Sequence, residues 1–165
     1  MVLSVDNVVS KFPMKSIPTI DGEPDYNSIN TMIQLLYGNA ASLPTTLVDG
    51  QHCHIGIVIT PQLYTTLADT PYKIPPDPGI TPIHAIVASA EIFQINFLIQ
   101  KEEQRIFDNH QMMEDAIKSL IIDSVDNVCI GELRKKYTGY LGITARNLLD
   151  HLLGRYWKIT PADVE

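Results

Sequence analysis

The chain has 165 residues, of which 45% are apolar and 19% charged, and this composition excludes a disordered tail and fits one globular domain or two small lobes. Twelve basic against nineteen acidic residues give a net charge of −7, which argues against a stand-alone nucleic-acid-binding protein because such proteins place Lys and Arg on phosphates. Two cysteines are too few for a disulfide framework, and residues 1–12 lack a secretory signal, so we expect a cytoplasmic protein.

The N-terminal part divides into an arm and a first helix. Three prolines and little periodicity predict an extended arm over residues 1–24. Apolar residues at helical spacing then predict a helix over residues 26–37, with Asp25 as its N-cap and Gly38 as the residue that ends it.

The apolar segment 55–59, Ile-Gly-Ile-Val-Ile, is rich in β-branched residues, which favours a strand. It lies among helical signals without a pairing partner, however, so its secondary structure stays open. Thr60 and Pro61 then predict the N-cap and first turn of a helix that reaches about Leu67.

A stretch over residues 70–82 contains five prolines and a glycine and is typical of a stiff linker. It predicts a boundary between an N-terminal helical lobe, residues 25–69, and a C-terminal helical lobe, residues 83–165. We expect the second lobe to be truncated, because the chain ends just after a helix-start signal at Thr160.

The most apolar window of the chain, residues 83–99, is interrupted by polar side chains and is short for a membrane span, which needs about twenty mostly apolar residues. We therefore predict a buried helix and no membrane contact. This helix would begin at Thr81 and run to about Phe107, with Asp108 and Asn109 breaking the helical pattern.

The remaining apolar patterns are all helical in spacing. They predict a helix with its stripe over residues 112–121, a short helix near residues 128–136 and a helix over residues 145–157 capped by Thr144. The fold class is therefore all-α: a helical bundle in two small lobes.

Candidate metal and catalytic residues are few. His52, Cys53 and His54 are three ligand-type residues in a row, but neighbouring side chains diverge and no second ligand pair follows at zinc-site spacing. The interpretations left open are a small metal-binding module using His52 and His54, and a turn in which histidines bond nearby carbonyls. Cys129 has the surroundings of a core cysteine, and no phosphate-binding loop is present, so we expect no enzyme, cofactor or small-molecule substrate.

One exposed-type segment, Glu-Leu-Arg-Lys-Lys-Tyr-Thr-Gly-Tyr-Leu-Gly, combines cations with aromatic residues. Its tyrosines beside three cations could stack on single-stranded bases, or they could close a turn between helices while the lysine stems cover apolar surface. The weak RNA-contact candidates are Arg134, Lys135, Lys136, Tyr137 and Tyr140.

A series of short motifs occurs in order from about Ile17 to the end of the chain. They are His52 and His54, Tyr64 with Leu67, Thr70-Pro71-Tyr72, Pro78-Gly79, Leu148-Leu149 with His151-Leu152, Tyr156, and Ile159-Thr160-Pro161 with Asp163. Taken together, these stretches resemble the Gag protein of copia-type LTR retrotransposons. Their order and spacing carry the resemblance, since none of them is catalytic. Two departures stand out: Cys53 occupies a glycine position of the pattern, and so does Trp157.

This resemblance implies a capsid-like, non-enzymatic structural protein that self-associates and packages retroelement RNA, or a domesticated copy of one. In that family RNA contact usually depends on a basic tail or zinc knuckle downstream, so we expect RNA to be bound only through a region missing from this chain. A host protein–protein interaction domain is the alternative. The expected self-association surface is the apolar stripe of the last long helix: Leu149, Leu152, Leu153, Tyr156 and Trp157.

Overall fold

The computed structural model describes residues 4–43, 54–68, 70–79 and 90–156, and within these ranges the fold is all-α, as predicted. Two short 3-10 turns, Ile55–Ile57 and Gly131–Leu133, join the helices. The α-helices of the described ranges are, in chain order, α1 (Val5–Ser10), α2 (Tyr26–Ser42), α3 (Pro61–Leu67), α4 (Ala90–Ser124), α5 (Asn127–Ile130) and α6 (Ala145–Tyr156).

The N-terminal segment differs from the predicted extended arm because it contains α1. Ser4 caps this helix, its hydroxyl accepting a hydrogen bond from the Asn7 amide at 3.2 Å. Val8, Phe12 and Ile17 are buried. The segment is therefore part of the core.

One buried amide fastens this segment to α2. The Met14 amide donates to Asn39 Oδ1 at 3.0 Å, and Asn39 Nδ2 donates back to the Met14 carbonyl at 2.8 Å. Asn39 is fully buried, and both bonds to the Met14 backbone are part-buried, so the asparagine side chain has no solvent as an alternative partner.

Helix α2 begins where predicted and ends later. Asp25 accepts from the Ser28 amide at 2.7 Å while the Ser28 hydroxyl accepts from the Asp25 amide at 2.9 Å, which forms a capping box. The prediction that Gly38 ends the helix is wrong. A glycine inside a helix costs about 1 kcal/mol, which burial of Ala40 and the paired bonds of Asn39 offset.

The segment left open between strand and helix forms the 3-10 turn Ile55–Ile57. Its apolar residues are buried, as is Val58. The next helix starts as predicted, since the Thr60 hydroxyl accepts from the Leu63 amide at 3.2 Å and Pro61 is its first residue.

Helix α4 is continuous, and the predicted break at Asp108 and Asn109 is wrong. Gln104 donates to the Asp108 carboxylate at 2.9 Å across one helical turn. The intrinsic helix penalty of Asp or Asn is below about 1 kcal/mol per residue, which is less than the packing of the buried turns that follow provides.

The prediction of a buried helix over residues 83–99 is wrong for its described part. Every residue from 90 to 99 is exposed, whereas burial on α4 begins at His110. Residues 83–89 lie outside the described ranges. The described part of this segment is therefore helical and apolar, as predicted, but it is exposed where burial was predicted.

The C-terminal part follows its local signals. The short helix predicted near residues 128–136 is α5 followed by the 3-10 turn Gly131–Leu133, and the prediction is wrong for residues 134–136, which are not helical. Thr144 caps α6 as predicted, its hydroxyl accepting from the Asn147 amide and its own amide donating to the Asn147 side chain, each at 3.0 Å. Trp157 and the helix start predicted at Thr160 lie outside the described residues.

A single core joins the parts that were predicted as two lobes. Helix α2 packs against both α4 and α6, and the shared cluster includes Ile29 and Leu36 of α2, Ile117 of α4 and Leu148 of α6. The division into lobes over residues 25–69 and 83–165 is therefore not observed among the described residues. The apolar faces of these helices bury one another, so neither half has a separate core.

None of the described helices combines the length and the apolar content that crossing a bilayer requires.

Replacing Asn39 with alanine should lower the free energy of unfolding by about 1–3 kcal/mol, because the part-buried amide and carbonyl of Met14 would lose their hydrogen-bond partners. Urea denaturation followed by circular dichroism measures this change. The control is Gln34→Ala on the exposed face of the same helix, which should change stability by less than about 0.5 kcal/mol. Equal stability of the two variants would contradict the role given to Asn39.

Candidate functional site

The first half of α4 carries a large exposed apolar surface. Ile95 is 57% exposed, Phe97 47%, Leu98 63% and Ile99 51%, and Ile92 and Phe93 are also exposed. We call residues 90–99 the α4 extension. Six of its ten residues are large apolar side chains about half exposed, and at 100° per residue they lie on every side of the helix.

The α4 extension carries little charge. Glu91 is its one charged residue, and Lys101, Glu102 and Arg105 follow just after it. The Arg105 guanidinium donates to both Glu102 carboxylate oxygens, at 2.6 and 3.0 Å, and this bonding holds the pKa of Glu102 below its usual range. The charged side chains thus lie mainly just after the C-terminal end of the α4 extension, and the extension itself is almost uncharged.

The self-association surface predicted on the last helix is part of the core instead. Leu149 and Leu152 are fully buried and Tyr156 is buried, while Leu153 is half-buried against the same cluster. Trp157 lies outside the described residues. The stripe was taken as broader than one short helix needs, but α2, α4 and α5 all contact α6, and this packing accounts for its width.

The basic segment forms a tight hairpin turn. Lys135 and Gly139 exchange backbone hydrogen bonds of 2.8 and 3.0 Å, and Gly139 has a φ of +61°, a conformation that glycine adopts without strain. Tyr137 is 88% exposed at the tip, and the Lys136 ammonium lies 5.2 Å from its ring centroid. We call residues 134–139 the basic hairpin.

Four of the five RNA-contact candidates lie on this hairpin, and Arg134, Lys135 and Lys136 are exposed there with Tyr137. Tyr140 differs: its hydroxyl is buried without a hydrogen-bond partner in the described structure. The Tyr140 carbonyl accepts from the Lys118 ammonium at 3.0 Å, which ties the end of the turn to α4. Tyr140 is therefore a residue of the turn and is not available for stacking on a base.

A buried polar group lies between the 3-10 turn, the proline-rich segment and α4. The Tyr72 hydroxyl and His110 Nε2 are hydrogen-bonded at 2.8 Å, and the His54 and His110 ring centroids are 6.2 Å apart. The Tyr72 ring also packs edge-on against Tyr64 at 5.2 Å. This group fastens the segment 70–79 to the body of the protein.

Gly56 makes this arrangement possible. A Cβ atom at this position would lie 2.1 Å from Cγ of the Tyr72 ring, so the ring is seated directly on the glycine backbone. Burial lowers the pKa of His110 to about 4, with a further contribution from His54, and burial raises the pKa of the Tyr72 hydroxyl. Both groups are therefore neutral at neutral pH, which suits a packed core.

The structure describes one of the two histidines of the metal interpretation. His54 is buried, and its backbone amide donates to the Ala40 carbonyl at 3.1 Å. Any residue other than proline could make this bond, so a turn held by the histidine side chain stays a prediction. His52 and Cys53 lie outside the described residues. Within the described ranges no three His, Cys, Asp or Glu side chains are grouped so that they could hold a metal ion.

Cys129 is buried and outside any disulfide, as expected for a core cysteine. A cleft of 450 Å³ lies between the N-terminal segment and α2. It is lined by apolar side chains such as Ile17 and Leu35 and by the acidic Asp21 and Glu23. None of its described lining residues is a histidine, cysteine or lysine.

No family model, curated protein or solved structure matches the chain. The likeness to copia-type Gag proteins therefore stays an expectation that rests on the order of its motifs.

The sequence did not single out the α4 extension or the pairing of Tyr72 with His110. A signal for the extension was available, because apolar residues over 92–99 occur on every side of a helix, and such a helix must be covered by something. No comparable signal marked the buried polar group, whose members are 38 residues apart in the chain.

Replacing Gly56 with alanine should lower the free energy of unfolding by about 1–3 kcal/mol, because the added methyl group displaces the Tyr72 ring. Urea denaturation measures the change, and hydrogen exchange should show loss of protection around Tyr72. The matched control is Gly38→Ala, where a Cβ meets nothing within 4 Å and the helix should gain about 0.5–1 kcal/mol. A stable Gly56→Ala variant would show that the ring does not depend on this contact.

Stability should fall as the pH is lowered through the window from 6.5 to about 4. In this window the unfolded chain binds a proton at His110 that the folded chain does not, so unfolding becomes easier by up to about 3 kcal/mol. Burial raises the pKa of Glu114, which acts with the opposite sign because the folded chain then holds the extra proton.

Urea titrations at intervals between pH 4 and 7.5 measure this dependence. His110→Gln keeps a group that can bond Tyr72 but cannot titrate, so the loss of stability towards low pH should become smaller. The same pH profile in the variant and the wild type would exclude His110 as its source.

Proposed function

We propose that the chain is a non-enzymatic, Gag-like structural protein that self-associates into capsid-like assemblies. The observation that carries this proposal is the α4 extension, where the large apolar side chains of Ile95, Leu98 and Ile99 are about half exposed or more. Exposed apolar surface of this extent is typical of protein–protein interaction sites. The ordered Gag-like motifs suggest that the assembly is capsid-like, and the all-α fold is compatible with such an assembly.

The energetics favour association through this surface. Covering a large apolar side chain that is already half exposed contributes on the order of 1 kcal/mol, and the extension presents several of them in sequence. Association costs several kcal/mol of translational and rotational freedom. The balance is that of a moderate, concentration-dependent interaction, which suits a protein that assembles from many copies.

Packaging of retroelement RNA belongs to the proposal through the Gag-like motifs. A net charge of −7 makes this chain a weak partner for phosphate backbones. The exposed cations of the basic hairpin, with Tyr137 at its tip, are the part of the described structure best suited to contact RNA. The proposal therefore assigns assembly to this chain, in a cytoplasmic setting, and the main RNA contact to another region of the polyprotein.

The alternative is a host protein–protein interaction domain, in which the α4 extension would bind a different protein. The same apolar surface supports that alternative, and the oligomeric state of the purified chain distinguishes the two. The small metal-binding module centred on His52 and His54 is less well supported, because the buried His54 belongs to the core.

Size-exclusion chromatography with light scattering over a concentration series tests self-association. We expect the mass to rise with concentration in the wild type and to stay near that of one chain in the variant Ile95→Ser/Leu98→Ser/Ile99→Ser, because serine removes the apolar area that drives pairing.

The matched control is Leu63→Ser/Leu67→Ser/Ile74→Ser, which removes three exposed apolar side chains outside α4. It should associate like the wild type. A wild-type chain that remains monomeric up to millimolar concentration would overturn the proposal, as would equal loss of association in both triple variants.

A further inference from the structure

We propose that the basic hairpin of one copy binds the cleft between the N-terminal segment and α2 of a second copy. This inference rests on the proposed self-association and names two further surfaces through which the copies meet.

The hairpin carries positive charge that the rest of its chain does not neutralise. Arg134, Lys135 and Lys136 form the one run of three cations in the sequence. They are exposed, and the ion pairs among the described residues include none of them. Tyr137 at the tip adds an exposed aromatic ring. The hairpin therefore presents cations and one aromatic ring on a chain that is acidic as a whole.

The hairpin is also fixed in position. Lys135 and Gly139 close it through their backbone hydrogen bonds. At its base the Lys118 ammonium donates to the Tyr140 and Ile143 carbonyls at 3.0 and 3.1 Å. A surface that is already ordered loses less conformational entropy when it binds than a mobile loop does.

The cleft offers the opposite charge beside apolar surface. Ile20 and Leu35 line it and are half-buried, while Asp21 and Glu23 line it and are exposed. Its volume of 450 Å³ lies in the range of about 300–1,000 Å³ that is usual for binding pockets. The cleft can thus take an aromatic side chain against its apolar residues while its carboxylates face the flanking cations.

Other acidic groups of the described structure fit the hairpin less well. Asp21 and Glu23 take part in none of the described ion pairs, whereas four other carboxylates are already paired with a cation of their own chain. These four are Glu102, Asp115, Glu132 and Asp150. A second cleft that Glu23 also lines contains the cation Arg155, which would repel the hairpin.

The contact joins two copies and is not made within one. None of the described residues that line the cleft belongs to the hairpin, and the bonds at the base of the hairpin hold it where it is. Because the two surfaces differ, each copy offers its hairpin to one neighbour and its cleft to another. Such head-to-tail contacts repeat into a ring or an open chain, which is the kind of contact that an assembly of many copies needs.

Reversal of charge on each surface tests the contact. The hairpin variant is Arg134→Glu/Lys136→Glu, and the cleft variant is Asp21→Lys/Glu23→Lys; all four positions are exposed. Each variant alone should raise the dissociation constant for self-association by at least about fivefold, because like charges then face one another. Sedimentation of nuclease-treated protein over a concentration series measures this, and circular dichroism checks the fold.

An equimolar mixture of the two variants should associate like the wild type, since every hairpin then finds a cleft of opposite charge. The matched control is Lys11→Glu/Lys73→Glu, which makes the same change in net charge at exposed positions outside both surfaces. It should weaken association less than the hairpin variant does.

The outcomes separate this inference from the proposed function. A mixture that does not regain association overturns the contact and leaves self-association intact, as do variants that associate like the wild type. A hairpin variant that loses association only in samples without nuclease treatment would assign the hairpin to RNA and overturn the contact. A strictly monomeric wild type overturns both proposals.

Discussion

The structure depends on the packing of one long helix. Helix α4 has 35 described residues, a length of about 52 Å, which exceeds what the neighbouring helices cover. Its second half supplies the central face of the core, since Ala116, Ile117 and Ile121 are fully buried there. An isolated helix of ten residues is marginal in water, and the packed half provides the turns from which the exposed half extends.

Three irregular segments depend on polar side chains that long helices supply. Asn39 of α2 bonds the Met14 backbone, His110 of α4 bonds the Tyr72 hydroxyl, and Lys118 of α4 donates to the Tyr140 and Ile143 carbonyls at 3.0 and 3.1 Å. Backbone groups of segments outside regular structure have no helical partners, and burial makes each unsatisfied group costly. The helices thus provide the apolar core and also the few polar groups that hold the connecting segments on it.

Three helix starts could be predicted from the sequence, whereas helix α1, the end of α2 and the burial of α4 and α6 could not. Asp25, Thr60 and Thr144 act as N-caps because a cap is completed by residues within the same turn. Gly38 fails as a stop because contacts made across the chain outweigh a local penalty of about 1 kcal/mol. Buried pairs such as Tyr72 and His110 depend on the tertiary fold and leave no local pattern.

The predictions of which apolar helix face is buried and which is exposed were both wrong, because burial also depends on the tertiary fold. The α6 stripe around Leu149 and Leu152 was expected on the surface, and the helix including residues 90–99 was expected in the core, but the structure shows the opposite. Apolar periodicity states that a face needs cover, but it does not state whether that cover comes from the same chain. The arrangement of α2, α4 and α6 decides which face is covered. It buries the α6 stripe and leaves the α4 extension exposed.

Assembly of such a chain must overcome its charge. Each copy carries a net charge of −7, so copies repel one another, and salt at physiological strength screens this repulsion beyond about 8 Å. The α4 extension contributes little to the repulsion, because Glu91 is its one charged residue. A contact made through the α4 extension therefore brings copies together where charge is lowest.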